Sequence, residues 1–169
     1  SGYDYLKSIT VDPLTNVIYG ISNVDSVSEI TRVNAELGDA YSSEKLNLIL
    51  SAMAFDALGN LYAVSTDKKL YKRIVGNTSF DFVANVGIVV SAITFDPSSG
   101  DLWAAKDTSD APKDLLYKIN IENGDTTFIG SAGVNKVIKA LAFDNTNKLF
   151  GVYGEFLENS SFFSINLES

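Results

Sequence analysis

The chain has 169 residues, contains no histidine and no cysteine, and carries a formal net charge of −8. Its length suits one domain with a sizeable core, and its composition excludes a Ser-His-Asp triad, a Cys-His pair, disulfides and zinc sites built on histidine or cysteine. The acidic balance, without any basic stripe, argues against nucleic-acid binding, and no apolar run approaches the roughly 18 residues of a membrane span.

One short phrase of apolar or small residues followed by aspartate occurs four times. The aspartates are separated by 44, 40 and 48 residues. A second phrase, in the order apolar, aromatic, small, then aliphatic or small, follows each aspartate after a short segment of turn-forming residues such as Pro, Asn and Gly. The aspartates are Asp12, Asp56, Asp96 and Asp144, and the second phrases lie at 18–21, 61–64, 102–105 and 149–152.

A third apolar segment follows in each copy after a loop of variable length, at 30–34, 70–73, 116–120 and 162–166. Its partial alternation of apolar and polar residues predicts a strand with one buried face. A fourth strand is predicted in three copies only, at 80–84, at 126–130 and, more weakly, around 38–41. Apolar residues do not recur at helical spacing in any stretch of ten or more residues, so the copies are predicted to consist of strands and turns.

A repeat length in the low forties is typical of a four-stranded propeller blade. The sequence therefore predicts an all-β fold, a β-propeller with four blade repeats of about 44 residues, the last blade lacking its outer strand. We expect one domain over residues 1–169, with blades at about 7–47, 48–88, 89–137 and 138–169. Three arrangements fit: part of a larger propeller with missing blades, a homo-oligomer of two chains that closes an eight-bladed ring, or a self-closed four-bladed ring.

The small residues of the first strands and the aromatic residues of the second strands predict how the blades pack. Blades crowd together near the propeller axis, where Ala and Thr fit, and the wedge between them widens further out, where aromatic rings fit. Arg73 stands where other copies have Val33 or Ile119, which predicts a blade edge or an interface there. The aromatic residues expected in the interblade core are Tyr19, Tyr62, Trp103 and Phe150.

Parts of the repeat resemble blades of secreted bacterial and archaeal propellers, the broad group with NHL-like and YVTN-like repeats. The resemblance rests on Ile-Thr-Phe-Asp-Pro at 93–97, Gly-Asp-Leu-Trp at 100–103 and Leu-Tyr-Lys-Ile-Asn at 116–120, and it covers nearly the whole chain. The chain departs from WD40 repeats because it lacks their Gly-His and Trp-Asp pair. The resemblance implies blade packing and an extracellular or cell-surface location in a bacterium or archaeon, and it implies no particular reaction.

The four aligned aspartates each lie at the end of a first strand, directly before a turn. An aspartate carboxylate at such a position can accept hydrogen bonds from the backbone N–H groups of the turn. We therefore expect Asp12, Asp56, Asp96 and Asp144 to stabilise these turns, which lie on one face of the propeller, here called the turn face. Propellers customarily bind ligands on the opposite face.

That opposite face, here called the loop face, is formed by the loops that lead into each first strand and by the loops between second and third strands. The latter vary most in length, which is where binding residues are usually found. Their acids are predicted to bind a cation or sugar hydroxyls, and polar residues before each first strand are predicted to line a funnel for an anion or a glycan. The acids are Asp25, Asp67, Asp107, Asp110 and Glu155, and the funnel residues are Lys7, Ser51, Ser91 and Lys139.

These patterns favour a non-catalytic binding or scaffold module that recognises a glycan, a peptide or a neighbouring subunit through its loop face. No cofactor is expected, and calcium is the candidate metal because only oxygen ligands are present. One alternative is a calcium-dependent or carboxylate-based enzyme of the lactonase or lyase kind. Another is an assembly subunit that completes an open blade edge with another chain.

Overall fold

The computed structural model describes residues 6–154 and 159–166. All regular structure in these residues is β-strand. In chain order the strands are β1 (Ser8–Val11), β2 (Ile18–Val24), β3 (Val27–Val33), β4 (Ala40–Leu46), β5 (Leu50–Phe55), β6 (Leu61–Ser65), β7 (Lys69–Arg73), β8 (Asp81–Asn85), β9 (Val90–Phe95), β10 (Leu102–Lys106), β11 (Leu115–Ile119), β12 (Thr126–Ser131), β13 (Ile138–Phe143), β14 (Leu149–Tyr153) and β15 (Ser161–Ile165).

The strands form four antiparallel sheets, and each sheet is one blade. Their strand orders are β1-β2-β3-β4, β5-β6-β7-β8, β9-β10-β11-β12 and β13-β14-β15. The blades pack side by side through their first strands, β1 on β5, β5 on β9 and β9 on β13. This four-bladed β-propeller arrangement confirms the predicted fold, and the three-stranded last blade is confirmed for the described residues.

The outer strand of the first blade begins later than the sequence predicted. The side-chain oxygen of Asn34 accepts hydrogen bonds from the N–H groups of Glu36 at 2.8 Å and Leu37 at 3.1 Å, which fixes a turn. Gly38 completes this turn with a φ of 71°, a conformation that glycine adopts without strain. Strand β4 therefore starts only at Ala40, and it tolerates many polar residues because it is largely exposed.

Each blade has two faces, and the strand register assigns every residue to one of them. Ala52 pairs with Val64 and Val64 pairs with Leu70, so these three side chains share a face across three strands. We call the face that packs on the next blade in chain order the trailing face, and the one that packs on the preceding blade the leading face. Successive residues of a strand alternate between the two faces.

Three hydrophobic cores lie between successive blades, and each is formed by one trailing face and one leading face. Each core contains an aromatic pair in edge-to-face geometry, which adds about 0.5–1.5 kcal/mol to the gain from burial. The prediction of interblade aromatics is correct for the first three blades, while the fourth ring, Phe150, is only half-buried. The pairs are Tyr19–Phe55, with ring centroids 5.1 Å apart, Tyr62–Phe95 at 5.2 Å and Trp103–Phe143 at 5.8 Å.

A cationic side chain lies over each of the second-strand aromatic rings. In the first three blades the cation comes from the third strand, at the position that pairs directly with the ring. In the fourth blade Ser164 occupies that position, and Lys148 from the preceding turn lies over Phe150 instead, at 5.4 Å. All four blades thus retain the same favourable contact. The other contacts are Arg32 over Tyr19 at 5.5 Å, Lys72 over Tyr62 at 5.1 Å and Lys118 over Trp103 at 5.1 Å.

Arg73 is a buried cation at the interface between the first two blades. Its guanidinium donates a hydrogen bond to the Glu44 carboxylate at 3.1 Å, and it lies over the rings of Tyr19 at 5.7 Å and Phe80 at 5.2 Å. Burial lowers the pKa of Arg73, and the charge of Glu44 opposes that shift. Arg73 therefore links the outer strand of one blade to the third strand of the next.

We expect Arg73→Ala to lower the free energy of unfolding by about 2 kcal/mol, because it leaves a void and an unpaired Glu44 carboxylate. Arg73→Ile is expected to cost no more than about 1 kcal/mol, since apolar replacement of a buried ion pair is often nearly neutral. Ile119 and Ile165 occupy the equivalent position in later blades. Urea denaturation of both variants checks this, and equal losses would show that the ion pair matters more than the filled volume.

Candidate ligand-binding site

The two serines among the predicted funnel residues are engaged with the backbone. The hydroxyl of Ser51 donates a hydrogen bond to the Val64 carbonyl at 2.9 Å. The hydroxyl of Ser91 contacts the Ile138 carbonyl at 2.5 Å and thereby joins the third blade to the fourth. Both serines therefore support the blades, and their hydroxyl protons are already used.

The two lysines among the funnel residues, Lys7 and Lys139, line one cavity of about 400 Å³. Both lysines are exposed, and neither amino group takes part in an ion pair with the residues that the structure describes. No carboxylate is among the lining residues within 6–154 and 159–166. The cavity thus combines two positive charges with an otherwise mainly apolar lining, which consists of Leu6, Ser8, Ile9, Ala92, Ile93, Ala140 and Leu141.

The acids of the first two loops serve their own turns. Asp25 and Ser26, between β2 and β3, have φ angles of 48° and 67°, and two consecutive residues of this kind form the tight turn that suits a β-hairpin. Asp67, between β6 and β7, pairs with the Lys69 amino group at 2.5 Å and accepts a hydrogen bond from Ser65. The hydrogen bonds from Lys69 and Ser65 lower the pKa of Asp67.

In the part of the chain that the structure describes, the acids of the last two loops do not meet in a common site. Asp107 and Asp110 are exposed in the long loop between β10 and β11. Glu155 lies outside the described residues. Across the ranges 6–154 and 159–166, no three acidic side chains come together in a group that could hold a metal ion.

A carboxylate that the sequence did not single out, Asp114, is the most buried acid in the described part of the loop face. It accepts hydrogen bonds from the Ser131 hydroxyl at 2.9 Å and from the N–H groups of Val134 at 2.7 Å and Asn135 at 3.1 Å. Burial by itself raises the pKa of Asp114, but these hydrogen bonds outweigh it and hold the pKa below its ordinary value. Asp114 therefore ties the long loop of the third blade to the loop that enters the fourth.

The four aligned aspartates all accept hydrogen bonds from the turns that follow them. Asp144 has its pKa lowered, chiefly by the N–H group of Lys148. Asp96 is buried, which opposes ionisation, yet hydrogen bonds from Ser98 and Ser99 keep its pKa low. The backbone donors are Leu14 to Asp12, Leu58 and Asn60 to Asp56, Ser98 and Ser99 to Asp96, and Thr146 and Lys148 to Asp144.

The turn face carries an apolar cavity of about 420 Å³ that the sequence interpretation missed. Leu58 at its rim is 73% exposed. In the sequence, the apolar residues Ala57 and Leu58 occupy turn positions where polar residues are usual, and this departure could have indicated the cavity. The cavity is lined by Val11, Pro13, Phe55, Asp56, Ala57, Leu58, Phe95, Asp96, Pro97, Gly100 and Ile121.

A search of the described residues for a helix long and apolar enough to cross a lipid bilayer finds none.

Comparison with known proteins by sequence gives no match. No family model matches the chain, and no curated protein matches it.

Comparison by structure gives many matches, and the four described here are 10–13% identical to this chain. Hydrazine synthase of Kuenenia stuttgartiensis superposes with a TM-score of 0.63 at 13% identity, over 97% of this chain and 47% of that one. A luciferin-regenerating enzyme gives a TM-score of 0.62 at 13% identity, over 86% and 52%. A Bacteroides thetaiotaomicron protein of unknown function gives 0.65 at 13%, over 86% and 42%, and the Dos1 propeller gives 0.51 at 10%, over 94% and 41%.

The chain thus spans about half the length of the solved structures that it resembles. At this level of identity the likeness concerns the fold alone, and propellers carry many unrelated functions. The chain is similar to these structures in fold, and one of them, the Dos1 structure, is itself a propeller.

Proposed function

We propose that this chain is a non-catalytic binding module of an extracellular or cell-surface protein, and that its loop-face cavity binds the anionic group of a glycan or a peptide. One observation carries the proposal: Lys7 and Lys139 line the same cavity, and none of the other lining residues that the structure describes is a carboxylate. Ammonium groups without a protein partner are suited to bind carboxylate or sulfate groups through charge-assisted hydrogen bonds.

The charge of the whole chain makes this cavity distinctive. The net charge of −8 repels anions at long range, so an anionic ligand needs a local cluster of cations to bind. The mainly apolar lining adds a surface on which a sugar ring or an aliphatic side chain can pack. The calcium-dependent alternative stays a prediction. Among the described residues no three acids form a group that could hold an ion, so no observation supports this alternative.

The test measures binding of oligogalacturonate, a neutral oligosaccharide of the same length, and a polyglutamate peptide by titration calorimetry. We expect an anionic probe to bind and the neutral one not to bind. The double variant K7Q/K139Q is expected to weaken anion binding by at least about tenfold, because both charge-assisted contacts are lost. Added salt is expected to weaken binding of the wild-type chain.

Lys113→Gln is the matched control, because Lys113 lies in a loop of the same face but does not line the cavity. Its substitution changes the net charge by one without touching the proposed site, so binding should change less than about twofold. Failure of the wild-type chain to bind either anionic probe contradicts the proposal. Equal losses in the control and in the single variants Lys7→Gln and Lys139→Gln also contradict it.

A further inference from the structure

The trailing face of the fourth blade is apolar and exposed. Phe162 is 71% exposed, whereas the residues at the same register position in the first three blades are buried. Those residues are Ile30, Leu70 and Leu116, with exposures of 2%, 0% and 2%. Phe150 stacks on Phe162, with ring centroids 5.1 Å apart. This face therefore has the composition of an interblade core, and no blade formed by the described residues covers it.

The leading face of the first blade has the same character. Ile9 is 65% exposed and Val11 is 50% exposed. The residues equivalent to Ile9 in the other blades are Met53, Ile93 and Leu141, with exposures of 1%, 5% and 9%. The residues equivalent to Val11 are the phenylalanines that form the edge-to-face pairs of the three interblade cores.

These two faces are complementary by the rule that the chain itself follows three times. In every interblade core a trailing face packs on a leading face, and the second-strand aromatic ring meets the last residue of the neighbouring first strand. In the described residues, the second-strand ring Phe150 meets no such first-strand residue, and Val11 at the end of β1 meets no such ring. Residues 6–154 and 159–166 make no extensive contact between β13 and β1, so these residues do not join the two faces.

We propose that a second copy of this chain covers both faces. The trailing face of each copy packs on the leading face of the other, and two such interfaces related by a two-fold axis close a ring of eight blades. A head-to-tail contact that closes leaves no apolar face exposed, and eight blades lie within the range found in propellers. The trailing-face residues Ala140, Ala142, Phe150, Val152 and Phe162 are uncharged. The Lys148 ammonium lies over the Phe150 ring, as Lys72 and Lys118 lie over rings of the existing interblade cores, so the contact introduces no kind of charge that those cores lack.

The first experiment measures the mass of the chain by light scattering and sedimentation over a range of concentrations. We expect a species of twice the 18.3 kDa chain mass, and we expect salt to favour it, because the two copies both carry a net charge of −8. A chain that stays monomeric at every concentration and salt level overturns the proposal. In that case the two faces would be covered by further blades of a longer polypeptide.

Point variants test whether these faces form the contact. Phe162→Asp and Val11→Asp are each expected to weaken dimerisation by at least about tenfold, since each places a charge in an apolar interface and neither residue lines the cavity of Lys7 and Lys139. Both residues are exposed in a single chain, so the monomer should keep its circular dichroism spectrum. Leu37→Asp is the matched control, because Leu37 is 72% exposed in the turn between β3 and β4, away from the two faces. A dimer that tolerates both test variants as well as the control overturns the assignment of the faces.

Cross-linking identifies which faces touch. The chain has no cysteine, so V11C/F150C carries only the two introduced thiols, and a short bis-maleimide can join them. Cross-linking between copies is expected to give a covalent dimer, and a substantial part of it should be cyclic with both interfaces joined. A product joined only within one chain indicates self-closure of a four-bladed ring and overturns the proposal. The K7Q/K139Q variant is expected to dimerise normally, so failure of ligand binding and failure of dimerisation remain distinguishable.

Discussion

Trp103→Ala is expected to lower the free energy of unfolding by about 3–5 kcal/mol, the range found for removing a large aromatic side chain from a core. Trp103 is 5% exposed and packs edge-to-face on Phe143 across the interface between the third and fourth blades. Its loss leaves a void that both blades line, and it removes the ring over which Lys118 lies. Urea denaturation monitored by circular dichroism measures the change.

Two further variants separate the causes of this loss. Phe150→Ala removes the equivalent ring of the fourth blade, and because that ring is only half-buried, we expect a loss of no more than about 1 kcal/mol in the monomer. Trp103→Phe keeps an aromatic ring and removes an indole N–H that finds no acceptor among the described residues, so its cost is expected to be about 1 kcal/mol. An equally large loss for Phe150→Ala in dilute solution would mean that the trailing face of the fourth blade is already covered there.

Asp114→Ala is expected to lower the free energy of unfolding by about 3 kcal/mol. The substitution leaves one hydroxyl and two backbone N–H groups without their acceptor in a buried site, and each such group carries a desolvation penalty. Because Ser131 ends β12 and the two N–H donors lie in the loop entering the fourth blade, the loss concerns the junction between the last two blades. Asp110→Ala, in an exposed position of the same loop, is expected to cost less than about 0.5 kcal/mol.

The contribution of Asp114 is also expected to depend on pH. Its pKa in the folded chain lies below the ordinary aspartate value, so between these two pKa values the unfolded chain binds more protons and stability rises with pH. The stabilisation is complete above the ordinary pKa near 4 and is lost as pH falls through the folded pKa. The difference in unfolding free energy between the wild type and Asp114→Asn should therefore shrink on acidification. A difference that stays constant from neutral pH to strongly acidic pH would show that Asp114 is not the titrating group.

The candidate site was only partly accessible from the sequence. The repeat alignment placed Lys7 and Lys139 at equivalent positions, and the structure shows that both line one cavity. The same alignment also predicted Ser51 and Ser91 as funnel residues, yet their hydroxyls donate hydrogen bonds to backbone carbonyls. Which polar side chains face an open cavity depends on the packing of β9 against β13, and a one-dimensional pattern contains no such information.

The sequence by itself determined the blades of this protein. The repeated aspartate and the aromatic phrase that follows it are local signals, because each turn and each strand depends on neighbouring residues and on the alternation of apolar side chains. They predicted four repeats and the missing outer strand of the last one.

Only the tertiary structure decided which equivalent residues have equivalent surroundings. Phe150 repeats Trp103, and Ile9 repeats Met53, but burial depends on whether another blade lies alongside. Asp114 resembles its acidic neighbours in the sequence, and it becomes buried because Ser131 at the end of β12 and Val134 and Asn135 in the loop after it approach its carboxylate. Local patterns specify strands and turns, whereas burial and charge pairing arise from contacts between segments that lie far apart in the chain.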